Sequence, residues 1–278
     1  MTNLIKAELY KLRKRTITLV LLLIMIGIII VMVLLMQGAT GSDGNPAATL
    51  PVNTSLLSQV IPAAMMILSS FGTVLAVIMV ASAVGNEYSW HTIRPYLLCT
   101  ESRWKMLAAK LISAGILILA GMVIGVITAV LMGLMMTAIR GFSWDLNFFT
   151  LSFVGNQFLN FLRTFYVILP YTLLAVLFTV LGRSTVAGMG FGIGLFFLEP
   201  VAAELMRGTF GWVSKIPNYL LYSNIQALNS LNNSPLTIHF DSNIPMSSIP
   251  RAFVTLAIYS LVFITIAFTL FRKRDVTT

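Results

Sequence analysis

Thr185-Val186-Ala187-Gly188-Met189-Gly190-Phe191-Gly192-Ile193-Gly194-Leu195-Phe196-Phe197-Leu198-Glu199-Pro200 decides how many times this chain crosses a membrane. The run is apolar, but glycine recurs at every second position in its middle and Glu199-Pro200 closes it. It is shorter than the about 20 residues that a helix needs to cross a hydrocarbon core of about 30 Å. The expectation is a broken or re-entrant helix that continues through Val201 to Met206, because irregular backbone at membrane depth survives only against protein or water. If this run crosses, the two ends of the chain lie on the same side; if it does not, they part.

Five other runs are long and apolar enough to span: Ile17 to Met36, Val60 to Val84, Leu107 to Ile139, Thr164 to Leu181 and Ala252 to Phe271. Only 10% of the 278 residues are charged and 58% are hydrophobic, against roughly 25% charged in a soluble domain. The chain therefore reads as an all-α polytopic membrane protein, one domain over residues 1–278. The net charge of +9 does not argue for nucleic acid, because Lys and Arg gather at the ends of apolar runs, where a membrane surface accounts for them.

The distribution of those charges bears on the crossing number. Lys6, Lys11, Arg13, Lys14, Arg15, Arg94, Arg103, Lys105, Lys110, Arg183, Arg272, Lys273 and Arg274 fall on one side of a six-span arrangement. Arg140, Arg163, Arg207, Lys215 and Arg251 fall on the other. By the positive-inside rule the richer side is cytoplasmic and holds both termini and the loop over residues 85–106. Without the Gly-rich crossing the basic C-terminal tail would lie outside, so the charges favour six spans.

The N-terminal basic cluster followed by an apolar run superficially resembles a secretory signal. Its core is longer than the about 7 to 15 residues of a signal, and Gln37-Gly38-Ala39-Thr40 is a poor cleavage site, so it reads as a retained first span. Before it, Ile5, Leu9 and Leu12 share one helical face among basic residues. Residues 1–16 suit a cytoplasmic amphipathic helix lying on the inner leaflet, with a solvated basic tail as the alternative. Residues 199–251 form an external segment.

Within the spans, Gly121, Gly125, Ala129 and Gly133 recur every four residues and place small side chains on one face, as close helix packing requires. The middles of the apolar runs hold no ionisable residue, whereas an ion-coupled carrier keeps such groups at depth despite their cost. Glu199 and Glu204 are the nearest acids and are candidates for lining an outer vestibule, although Glu204 and Arg207 also stand at pairing distance, i and i+3. His91, His239 and the single Cys99 are isolated, which leaves no metal site and no intrachain disulfide. The chain lacks a phosphate-binding Gly-x-x-x-x-Gly-Lys-Ser/Thr loop and the common hydrolase motifs, so it is not expected to be an enzyme.

One stretch between the second and third runs is charged and aromatic: Gly85-Asn86-Glu87-Tyr88-Ser89-Trp90-His91-Thr92-Ile93-Arg94-Pro95, then Ser102-Arg103-Trp104-Lys105. Asn86 is a plausible helix N-cap with Glu87 in the first turn, which predicts a short cytoplasmic helix from residue 86. Arg103, Trp104 and Lys110 suit the membrane boundary, where indole rings and basic heads settle.

The segment Glu8-Leu9-x-Lys11-Leu12-Arg13, the six spans and Gly-Asn-Glu-Tyr-x-x-x-Thr-Ile-Arg ahead of Ser-Arg-Trp together resemble permease subunits of bacterial type 2 ABC exporters, the branch of bacitracin- and lantibiotic-resistance permeases. This chain departs by carrying His91 where that pattern commonly has Gly. The resemblance implies a dimer of permeases, identical or paralogous, in the bacterial cytoplasmic membrane. Each would dock a separate ABC ATPase subunit, which holds the ATP and magnesium, through a coupling helix containing Glu87, Tyr88, Thr92, Ile93 and Arg94. It also implies short external helices before the last span. Peptide-antibiotic, drug and lipidic cargo all remain open. An ion-coupled carrier and a non-transporting sensor or assembly protein are the alternatives.

Overall fold

A computed structural model describes residues 2–39, 56–89, 103–140, 150–207, 213–231 and 248–273. These residues are helical almost throughout. Helix α1 covers Thr2–Lys14, α2 Thr16–Ala39, α3 Leu56–Ser89, α4 Arg103–Arg140, α5 Leu151–Gly182 and α6 Thr185–Arg207. A 3-10 segment, Val213–Tyr219, leads into the short α7, Leu221–Asn229, and α8 runs from Ser248 to Lys273. Six of them, α2 to α6 and α8, are long and apolar enough to cross a membrane.

Helix α3 is the centre of the bundle. About two thirds of its span is buried (67%) and over half of that of α5 (56%), whereas α2, α6 and α8 bury 17% each. The two inner helices pack on each other, α2 and α4 cover one flank, and α6 and α8 cover the other. The outer helices present Leu23, Leu35, Leu131, Ile139, Leu198 and Leu261 outward, the surface that hydrocarbon can solvate and water cannot.

The strip of small residues on α4 is where that flank closes. A Cβ on Gly125 would lie 3.0 Å from Ile29 Cδ1 of α2 and 3.2 Å from Leu68 Cδ2 of α3, and Ala129 is fully buried. Without a hydrophobic drive between helices inside lipid, such close approach is what gives the dispersion contacts that hold them.

Two expectations are corrected. The Gly-rich run is neither broken nor re-entrant: Thr185–Arg207 is one helix that passes through Pro200. The glycines divide between its faces. A Cβ on Gly192 would lie 3.1 Å from Ala175 Cβ and one on Gly188 would lie 2.9 Å from the Ala175 carbonyl oxygen, while Gly190 and Gly194 face open space. Alternation by two in a helix thus sends only half of the glycines to the packed face. The supposed external segment over 199–251 accordingly begins inside a span, and the fourth run extends back to Leu151, with Thr150 capping the helix by accepting from Phe153 N–H.

The second correction concerns residues 85–106. Helix α3 continues to Ser89 and α4 begins at Arg103, so both edges of the expected loop are helical extensions of spans. Asn86 is not an N-cap. It lies inside α3, where its backbone is already committed to the helix.

Candidate functional site

The start of α2, the end of α3, the start of α4, the turn between α5 and α6 and the end of α8 meet at the end of the bundle that carries α1. A 13-residue helix is marginal alone. Helix α1 is held by a contact to a residue far along the chain. Lys110 Nζ donates to Glu8 Oε2 at 3.0 Å, with the side chains 3% and 1% exposed. Leu12, one turn on from Glu8, is also buried, whereas Tyr10 is 67% exposed.

The face of α1 that carries Glu8 and Leu12 is therefore turned onto α4. Lys110 stands six residues beyond Trp104 in the first turns of α4 and is paired with a carboxylate. Two charges taken out of water stabilise each other only if they stay together, which makes this pair a strict register pin between α1 and α4.

Three further ties join this end. Arg15 Nη1 donates to the Ser82 carbonyl of α3 at 3.1 Å, fixing the α1–α2 corner. Thr185 Oγ1, at the first turn of α6, donates to Asn86 Oδ1 at 3.2 Å. Beside it, a Cβ on Gly85 would lie 2.6 Å from Thr185 Cα, so α3 and α6 approach closely only because position 85 is glycine. Arg183 makes the turn between α5 and α6 in the left-handed region, φ 49°. Trp104 lies 5.0 Å, ring centroid to centroid, from Phe268 of α8 and is half exposed.

Of the residues singled out in the sequence, Tyr88 is partly buried against the main core, and Glu87 lies in the last turn of α3. Arg103 opens α4. Thr92, Ile93 and Arg94 lie outside the described residues. The structure brings Gly85, Asn86, Glu8, Lys110 and Thr185 to one end. Glu8 and Thr185 were missed as contact residues. The signal for Glu8 was present, since it is the lone acid among the first 42 residues.

At the opposite end Glu199 is tied down by hydrogen bonds. Tyr171 O–H donates to its Oε2 at 2.5 Å, and the backbone N–H groups of Leu221 and Tyr222 also donate to its carboxylate. The carboxylate occupies the N-terminus of α7, where the unsatisfied amides and the helix dipole favour an acceptor. Glu204 is 71% exposed and pairs with Arg207 at 3.6 Å, while Arg207 Nη2 reaches Ser223 Oγ at 3.2 Å. Leu221, Ile225 and Leu228 bury the inner face of α7, and Tyr259 O–H donates to the Tyr219 carbonyl at 3.1 Å.

Six candidate membrane helices, with the two ends of the described chain on one side of the bundle, define a multi-pass membrane protein. The chain belongs to the family described as protein of unknown function (DUF2705), whose model matches residues 24–277. The match begins within α2, so α1 and Glu8 precede it. The chain is also similar to the uncharacterized protein YhcI of Bacillus subtilis (strain 168), with 25% identity over 211 residues. That alignment covers 72% of this chain and 63% of the relative, less than two thirds of its length.

Proposed function

We propose that this chain is the transmembrane permease subunit of an ATP-driven exporter of the type 2 ABC class. It works with a second permease and with separate ATPase subunits that bind ATP and magnesium. The observation that carries the reading is the construction of the α1 end. Residues 85–106, whose sequence resembles a coupling segment, run from the end of α3 to the start of α4, and both helices are tied to other elements: α3 to α6 through Asn86 and Gly85, α4 to α1 through Lys110. A displacement of this segment by a docked ATPase would therefore reach α1, α3, α4 and α6 together. Alternating access to a path between two permeases follows as the mechanism, with Glu87, Tyr88, Thr92, Ile93 and Arg94 as the coupling residues. In this reading the α1 end is cytoplasmic and the membrane is the bacterial cytoplasmic membrane.

The test is affinity purification of the tagged protein from its native membrane in mild detergent, with mass spectrometry of what co-purifies. Recovery of a Walker-motif ATPase that Glu87→Ala weakens is the expected result. A preparation without any ATPase removes the reading.

The buried Glu8–Lys110 pair favours one second reading. Ionisable groups inside a span are expensive and often mark ion pathways. An ion-coupled carrier would transport after ATP depletion and stop when an uncoupler collapses the proton gradient, the reverse of the exporter's behaviour.

A further inference from the structure

Between α2, α3 and α4 lies a cavity of about 300 Å³ that reaches Ile168 of α5. Its lining is aliphatic, methionine, alanine and glycine, with Thr18 and Arg13 as the polar residues, both at the α1 end. On α3 the lining runs from Met79 back to Leu68, which at 1.5 Å per residue is about 16 Å, half of a hydrocarbon core of about 30 Å. The cavity therefore begins at the basic end of the bundle and is about as long as one leaflet's hydrocarbon is deep.

Glycine makes the room on two of its walls. An added Cβ on Gly72 meets nothing closer than Leu68 at 3.7 Å, and one on Gly121 lies 3.5 Å from Met25 Cε. Leu19, Ala120 and Ile124 line the cavity and are also exposed on the outer surface, so it opens toward the bilayer. Water does not suit such a space, because a buried water needs two to four polar partners. Left empty, the walls would forgo dispersion contacts on one side.

We propose that this cavity holds one acyl chain of an anionic phospholipid from the leaflet at the α1 end, with its headgroup phosphate beside Arg13. The depth is that of a single leaflet and the lining is that of a hydrocarbon chain. The charge stands where a phosphate would lie, and exposed Lys14 adds to it on the next residue of α1. The site is separate from the segment assigned to ATPase docking and does not depend on the exporter reading.

The probe is phosphatidylglycerol carrying a diazirine in mid-chain, with phosphatidylcholine labelled the same way as the neutral control. Each is added at trace level to the full-length protein in lipid nanodiscs, irradiated, and its adducts are mapped by mass spectrometry. Phosphatidylglycerol adducts should concentrate on Leu22 and Met25 of α2 and on Leu117, Ile118 and Gly121 of α4, which line the cavity. Ala120→Trp, which blocks the opening from the bilayer side without entering the core, should abolish them. Gly72→Leu, filling the cavity from within, should do the same. Arg13→Glu should lower the preference for phosphatidylglycerol over phosphatidylcholine by about five-fold or more, the effect of one basic residue near an anionic surface. Adducts spread evenly over bilayer-facing Leu23 and Leu131, equal labelling by both lipids, or labelling undiminished by Ala120→Trp would each overturn the site.

Discussion

The two ends of the bundle solve the same problem with different chemistry. Each docks a short helix on the long ones through a carboxylate. At the α1 end Glu8 meets the ammonium of Lys110 in nearly complete burial. At the other end Glu199 meets a phenol and two backbone amides at the start of α7. A charge pair out of water is unforgiving, since deleting one partner strands the other. A carboxylate shared among several neutral donors is graded, because losing one donor leaves the rest. The α1 end is thus built for fixed register. The far end is built as a cover that tolerates adjustment.

The sharpest way to break the comparison is to show that the ends do not lie on opposite sides of the membrane. Cys99 is the single cysteine, in the segment between α3 and α4. A membrane-impermeant maleimide should leave it unlabelled in intact cells and label it after permeabilisation. Lys215→Cys in a Cys99→Ala background should show the opposite pattern. Identical patterns for the two positions would remove the sidedness on which the functional reading stands.

The next effect in size is energetic. Lys110→Ala should cost about 3–5 kcal/mol of stability, read as a lower melting midpoint in detergent. The double replacement Glu8→Leu with Lys110→Met should recover most of that loss, and a double variant as unstable as the single one would show that the pair is not the pin described. Gly85→Ala should cost about 1–3 kcal/mol, because its Cβ would meet the Thr185 backbone at Cα and N as well as the side-chain Oγ1, and the backbone cannot swing aside. Gly190→Ala, which faces open space, should change stability by less than about 0.5 kcal/mol. Equal effects at the two glycines would contradict the close approach of α3 and α6.

At the far end the shifts should be smaller than at Lys110. Tyr171→Phe removes one donor from Glu199 and should cost about 1.5–3 kcal/mol. Glu199→Gln keeps an acceptor for the Leu221 and Tyr222 amides and should cost about 1 kcal/mol. A loss on Glu199→Gln as large as that of Lys110→Ala would erase the distinction between the two anchors.

The six candidate spans were legible because apolar length is a local property of the sequence. Segment ends and contacts were not. Asn86 and Glu87 carry the marks of a helix start, yet they lie inside α3, because tertiary packing against Thr185 extends the helix beyond the apolar run. Glu199-Pro200 reads as a stop, but a proline inside a membrane helix is tolerated where packing compensates for the lost hydrogen bond, and α6 continues to Arg207. The Glu8–Lys110 pair joins residues 102 apart, a separation over which no periodicity speaks. Gly85 stood in the motif without a reason; the backbone of Thr185 supplies it.

The most direct measurement is site-specific photo-crosslinking in the native membrane, with a benzoylphenylalanine placed at Thr92 and, separately, at Lys215. An adduct with a Walker-motif ATPase is expected from position 92 and none from 215. No ATPase adduct from position 92, or equal adducts from both positions, would contradict docking at the α1 end.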